Sequence, residues 1–310
     1  MKKRMSAMIA VCLLICGLAG CGNNQPALQT TSAPETTTQA ETTAVPEAAK
    51  TDGNVVYDGD GVKISSKGFR NCDEYDGGAM LELDIVNDTG KELCIFPHEA
   101  SVNKKMYMAC PLVVKGKDEF EIGSSFVVPA EKTDFIYGLY LNDVENEEYT
   151  LKNIEETSFS LEIIIGDDWE NEINTKIFTA ENPAADVDYD TIYDDYGDVA
   201  YDKDGIKVII QSTDYDSDFW GPTVNVFAHN DSDKSVEVRV SQATLNGEEH
   251  ECLSSFEITP GCYLIDELLF EDASDVQPLG TFTAVFEIYE FSSSSDGKLI
   301  GRSEPVTAKF

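Results

Sequence analysis

Apolar and polar residues alternate over short stretches along most of this 310-residue chain. The clearest stretches are Met80–Val86 (MLELDIV), Phe159–Ile165 (FSLEIII), Thr223–His229 (TVNVFAH) and Phe282–Tyr289 (FTAVFEIY). An apolar side chain at every second position marks a strand with one buried face. Between such stretches lie turn clusters: Asn87-Asp88-Thr89-Gly90, Asn230-Asp231-Ser232-Asp233 and Ser295-Asp296-Gly297. Asn, Asp and Gly accept the left-handed backbone that tight turns need. Few windows carry a helical period. From Val55 onward the pattern predicts an all-β, antiparallel fold.

Laid side by side, the two halves of this β-rich region repeat one another. The run starting at Val56 (VYDGDGVKISSKGF) matches that starting at Ala200 (AYDKDGIKVIIQST). The runs starting at Leu81, Phe126 and Phe159 match those starting at Val224, Phe256 and Phe282, in the same order and with more residues between the middle segments of the first copy. A repeat of this length is one structural unit used twice. The expected organisation is a β-sandwich over 54–184, an acidic linker over 185–198 and a second β-sandwich over 199–310.

Ahead of the repeats the pattern is different. Lys2, Lys3 and Arg4 precede a twelve-residue apolar run, Met8–Ala19. That run is shorter than the roughly 20 residues a membrane-spanning helix needs, and it reads as an export signal over 1–20. Leu18-Ala19-Gly20-Cys21 resembles the bacterial lipobox. The resemblance implies cleavage between Gly20 and Cys21, with Cys21 diacylated as the new N-terminus. Two acyl chains suffice for stable anchoring where one does not. Residues 21–53 (with QTTSAPETTTQAETTAVPEAAK) have almost no large apolar residues and are expected to form a disordered tether.

The repeat, with its D-x-D-G turn, its N-D-[ST]-x-K turn and its Pro/Gly-marked turn, resembles the Ig-like sandwich domains of Gram-positive lipoproteins, distantly similar to the mycobacterial immunoprotective extracellular antigen. The resemblance spans about 55–310, once per copy. It implies two tandem Ig-like sandwiches and an extracellular, membrane-anchored address. It carries over no catalytic residue.

Charge narrows the partners. Asp and Glu outnumber Lys and Arg 58 to 22, a net charge of −36. Nothing forms a basic patch, so no nucleic-acid partner is expected. The expected partners are the membrane, through lipid on Cys21, and an extracellular protein or polysaccharide. Asp186–Asp198 holds six Asp in thirteen residues, with Tyr189, Tyr193 and Tyr196 between them. It is read as a solvated linker rather than a cation site.

Other candidate chemistry is sparse. Asp58-Gly59-Asp60-Gly61 and Asp202-Lys203-Asp204-Gly205 resemble the start of a calcium loop. A Glu is needed at the twelfth position, where Phe69 and Thr213 stand. Both are read as hairpin turns. His98, His229 and His250 lack zinc-ligand spacing, and no G-x-S-x-G occurs. No metal site, cofactor site or catalytic residue is assigned. Cys252 and Cys262, on two candidate neighbouring strands, are the best-placed disulfide pair. Cys72, Cys94 and Cys110 leave at least one thiol over. Trp169 and Trp220 are read as strand-end packing residues, with stacking on a sugar or peptide as the alternative. The expected function is a non-enzymatic surface module for binding, adhesion or envelope structure, with an envelope hydrolase or its accessory domain as the competing reading.

Overall fold

The computed structural model describes residues 54–72, 78–116, 119–141, 149–186, 195–216, 221–291 and 297–310. The signal over 1–20, Gly20 and Cys21, the tether over 21–53, Trp220 and most of the acidic linker lie outside the described residues. Among the described residues every regular element is a strand, and none is a helix long and apolar enough to cross a membrane.

Twelve strands precede the acidic stretch: β1 (Val55–Gly59), β2 (Val62–Asn71), β3 (Ala79–Asn87), β4 (Leu93–Val102), β5 (Lys105–Met106), β6 (Cys110–Gly116), β7 (Glu119–Ile122), β8 (Phe126–Val128), β9 (Ile136–Tyr140), β10 (Glu156–Ile165), β11 (Ile173–Asn174) and β12 (Phe178–Glu181). Ten follow it: β13 (Asp198–Lys203), β14 (Ile206–Asp216), β15 (Gly221–Asn230), β16 (Val236–Leu245), β17 (Glu248–His250), β18 (Ser255–Ile258), β19 (Cys262–Leu268), β20 (Thr281–Glu290), β21 (Lys298–Arg302) and β22 (Val306–Lys309).

The sheets repeat as the sequence does. One sheet runs β1-β2-β3-β9, and its counterpart runs β13-β14-β15-β19. A second sheet in the first half joins β11-β10-β4-β5, with β8 on β4 and β12 on β10. Its counterpart joins β21-β20-β16-β17, with β18 on β16 and β22 on β20. Each half has its own core. Leu81, Leu93, Ile95, Leu139, Phe159 and Leu161 lie in the first, and Val224, Val226, Val236, Val238, Phe282 and Phe286 in the second. A smaller cluster of Cys72, Met80, Leu112, Val114 and Tyr140 is separate from the first-half core.

The repeated turns match in backbone conformation and in their main side-chain bonds. Asp60 (φ 50°) with Gly61 (φ 78°), and Asp204 (φ 55°) with Gly205 (φ 80°), both join antiparallel strands as two-residue turns. Two successive positive φ values define the hairpin turn that suits the strand twist. Both Asp-Gly pairs are therefore turns, as their sequences indicate. At the next corner, Asn87 Nδ2 donates to the Lys91 carbonyl at 2.8 Å, and Asn230 Nδ2 donates to that of Lys234 at 2.7 Å. Thr89 and Ser232 hydroxyls donate back to those Asn side chains at 2.7 and 2.6 Å.

Two of the four aligned segments need a shift. Leu81 pairs with Leu139, and its counterpart Val224 pairs with Leu268, not Leu269. The second copy is thus one residue shorter between Ile258 and Leu268. A one-residue slip exchanges the faces of a strand, and it is Leu268 that is fully buried. On β10 and β20, Leu93 opposes Ile165 while Val236 opposes Glu290. Phe159 therefore corresponds to Ala284, two residues beyond Phe282. An even shift preserves the buried face, which is why the alternation alone did not reveal it.

The halves meet in one continuous sheet. β5 pairs with β19 in parallel, Lys105 opposite Tyr263, and links the two sheets.

Candidate functional site

The strands β8, β4 and β10 turn one row of side chains inward and the other outward. Leu93 and Ile95 of β4, Leu161 and Ile163 of β10, and Phe126 and Val128 of β8 enter the first core. The outward row is also apolar. Val127 opposes Cys94, which opposes Ile164, and Phe96 opposes Glu162 one step along. Val127 is 46% exposed, whereas Ile164 is fully buried although it lies outside the core cluster. After β10 the chain turns at Gly166 (φ 67°) into a loop that carries Trp169. Trp169 is 59% exposed, and its ring lies 6.1 Å from that of Phe96, tilted by 51°. Aromatic pairs at this spacing attract each other beyond their buried area.

The strip ends in charged groups. His98 Nε2 lies 3.1 Å from Glu162 Oε2. Glu99 sits at a bulge of β4 with φ 51°, and the Ser160 hydroxyl donates to its carboxylate at 2.7 Å. Glu257 of β18 feels both residues. Burial raises its pKa, His98 partly offsets the rise, and Glu99 and Glu237 add to it. Glu257, in the second half, is thus electrostatically coupled to the charged end of the strip.

The counterpart face in the second half is closed by its own charges. There Glu257 opposes Glu237, and Arg239 opposes Glu287. Arg239 makes a two-pronged contact with Glu237, Nε and Nη2 each donating at 2.6 Å. Its guanidinium lies 4.6 Å from the Tyr289 ring centre. The Tyr289 hydroxyl donates to Glu287 at 2.7 Å, and Arg302 lies 3.5 Å from the same carboxylate. The bond to Glu287, with burial, raises the Tyr289 pKa.

The remaining candidate residues are dispersed. His229 pairs with Asp231 at 3.2 Å, and His250 Nδ1 lies 3.1 Å from the Glu271 carbonyl. Among the described residues no group of three or more His, Cys, Asp or Glu could hold a metal ion. Cys252 and Cys262 are both free thiols, and the expected disulfide is not made. Cys252 bridges to Phe270, whereas Cys262 opposes Asn230. Eight residues at about 3.3 Å each separate Phe270 from Cys262, roughly 26 Å. Adjacent strands are not enough: a disulfide also needs matching register. Burial pushes the Cys252 thiol up to about 11 and raises that of Cys262 as well, so neither is an activated nucleophile. Asp195, from the acidic stretch, accepts a bond from Lys207 Nζ at 2.9 Å, which holds its carboxyl below the usual range. A pocket beside the second Asp-Gly turn, between Tyr201, Lys234 and Ile300, measures ≈ 160 Å³. Small-molecule pockets start at about 300 Å³.

Trp169 is legible as a candidate and Cys94 only as a possible spare thiol; Phe96 and Val127 are not. Their signal is the unbroken apolar run Leu93-Cys94-Ile95-Phe96, where the matching Val236-Glu237-Val238-Arg239 alternates. An apolar run without alternation marks a strand that buries or offers both faces.

No family model and no curated protein matches the chain. Among solved structures, the chain is similar to a YadV chaperone (8% identity, 81% of this chain, all of the other, TM-score 0.21). It is similar to the same extent to a Porphyromonas gingivalis W83 protein of unknown function (10% identity, 81% of this chain, all of the other, TM-score 0.21).

Proposed function

We propose that this chain is a non-enzymatic, lipid-anchored surface protein that binds an extracellular protein or polysaccharide. Two tandem Ig-like β-sandwiches, joined through a shared sheet, carry the binding face. Cys21 bears the lipid, and residues 21–53 hold the sandwiches away from the membrane. The observation that carries the binding role is the contact of exposed Trp169 with half-buried Phe96 on an apolar strip whose counterpart in the second repeat is neutralised by its own ion pairs. An apolar aromatic centre with a charged rim is the usual make-up of a contact surface. The anchor reading rests on the basic head, short apolar run and Leu-Ala-Gly-Cys of the leader.

Two experiments test it. The Thr51–Phe310 fragment is incubated with envelope polysaccharides and secreted proteins. Ligands it retains are expected to weaken about thirtyfold on Trp169→Ala, corresponding to about 2 kcal/mol. Unchanged affinity would move the site elsewhere. Separately, cells expressing the native chain and Cys21→Ala are fractionated. The native chain is expected in the membrane as the cleaved form, and the variant uncleaved. Membrane attachment without cleavage in both would end the lipobox reading.

A further inference from the structure

The two repeats are coupled by a device that both possess and only one uses. In the first repeat Asn103 (φ 50°) and Lys104 (φ 65°) make the β4–β5 turn. Asn103 Nδ2 donates to the Asn153 carbonyl at 2.7 Å, and its Oδ1 accepts from the Glu155 amide at 2.7 Å. The second repeat has the same clamp. Asn246 (φ 51°) and Gly247 (φ 88°) make the β16–β17 turn, and Asn246 binds the Pro278 carbonyl at 2.9 Å and the Gly280 amide at 2.8 Å.

The first hairpin is inserted into the second repeat. The Tyr263 amide donates to the Lys104 carbonyl at 2.9 Å. Met106 belongs to the core of the second repeat and is 7% exposed, with the Thr259 hydroxyl 3.4 Å from its sulfur. Contacts of this kind are head-to-tail. Repeated between identical units, they grow without limit unless something closes them.

Among the described residues, the unused coupling position of each repeat is closed. The acceptor strand of the first repeat, β9, is the counterpart of β19, and β6 covers it from Ile136 to Tyr140. β7 then forms the edge, four exposed residues in which Glu119 and Glu121 alternate with Phe120 and Ile122. Short charged edges resist further pairing. On the donor side, the ladder register places Glu248 and Glu249 where Lys105 and Met106 stand in the first repeat. A carboxylate at the Met106 position would enter an apolar core without a partner.

We propose that the β4–β5 hairpin is a directional coupling plug between repeats, and that β6–β7 and the Glu248–Glu249 pair together prevent a second copy of the chain from coupling in the same way. Array proteins end their stacks with units whose outer face is polar, for the same reason.

The test uses the full chain carrying Cys21→Ala. Residues 108–124 are replaced by the four-residue connection Glu251–Ser254, and Glu248→Lys and Glu249→Met are added. Sedimentation of the combined variant is expected to show species that lengthen with concentration, at least tenfold more associated than either change alone. Equal association of the variant lacking β6–β7 alone would trace the effect to the uncovered Met80 and Tyr140 surface, and overturn the proposal. So would a folded, monomeric combined variant. If that variant does not fold, the plug is tested in the otherwise native chain. Lys105→Glu with Met106→Glu is expected to speed hydrogen exchange at the Tyr263 amide at least tenfold, and unchanged exchange there would overturn the proposal.

Discussion

The outward faces of β8–β4–β10 and of β18–β16–β20 hold the same place in the two repeats and have opposite chemistry. Each sheet packs its inward row on a core, and the turns around it coincide. In the first repeat the outward row is Val127, Cys94, Ile164 and Phe96 under an exposed Trp169, with Glu162 and its partner His98 at one end. In the second it is Glu257, Glu237, Tyr289 and Arg239. One backbone therefore supports either an apolar strip or an internally neutralised charge network. The fold constrains the inward row, and the outward row is free to take on a role. A surface that satisfies its own charges has little left to offer a partner, whereas one that leaves Trp169 exposed does.

The sharpest way to break the comparison is at Ile164 and Tyr289, one step beyond each opposed pair. Ile164 is fully buried on a face that points away from the core. Ile164→Ala is expected to destabilise the first repeat by about 3 kcal/mol, the usual cost of emptying a buried aliphatic site. Tyr289→Phe removes a hydroxyl bound to Glu287 and is expected to cost about 1 kcal/mol. Urea midpoints of the two variants measure both. Similar values would mean that the two faces are energetically equivalent.

Next in size is Glu237→Ala. It leaves Arg239 without its two-pronged partner and is expected to cost about 2 kcal/mol, with some loss of that penalty at high salt. The matching Cys94→Ala removes a half-buried thiol bonded to Ser125 at 3.6 Å, and is expected to cost less than about 1 kcal/mol. A salt-independent loss at Glu237 would show that packing of the carboxylate stem, not charge, holds that face.

The repeat and its turns are legible because Asp-Gly, Asn-Asp-Thr and Asn-Asp-Ser accept the left-handed backbone and the side-chain-to-backbone bonds that tight turns need, and few other residues do. Register was less legible. Alternation has period two, so it could not distinguish Phe282 from Ala284 as the partner of Phe159, and a single missing residue before Leu268 left no mark of its own. Cys252 and Cys262 were assigned to neighbouring strands, but nothing in their spacing reports that one opposes Asn230 and the other Phe270. Trp169 was visible as one of two tryptophans. Its partner Phe96 lies 73 residues earlier, and only the pairing of β4 with β10 brings the two together. The coupling of the repeats was hidden for the same reason. Lys105 and Met106 form a two-residue strand, too short to show a period.

The smallest expected effect is on pH dependence, and it separates the repeats at their boundary. Glu257 has its pKa raised by burial, as does Glu156, which the nearby Lys104 only partly offsets. A carboxyl whose folded pKa lies above its unfolded value contributes stability that is fully present below the unfolded pKa. That contribution is lost as pH rises through the folded pKa. Acidification from neutral pH toward the carboxylate range is therefore expected to raise the thermal midpoint slightly, aided by relief of repulsion in so acidic a chain. Asp195 and Glu290 act oppositely, since Lys207 and Lys234 depress their pKa values, but both are exposed and solvent screens them. Glu257→Gln should flatten the rise at the boundary. A change on the outer strip that removes no titrating group, Trp169→Ala, should leave it in place, because the pH dependence belongs to the carboxylates near the junction of the repeats and not to the aromatic face. A rise that survives Glu257→Gln and Glu156→Gln together would assign it to the overall charge alone.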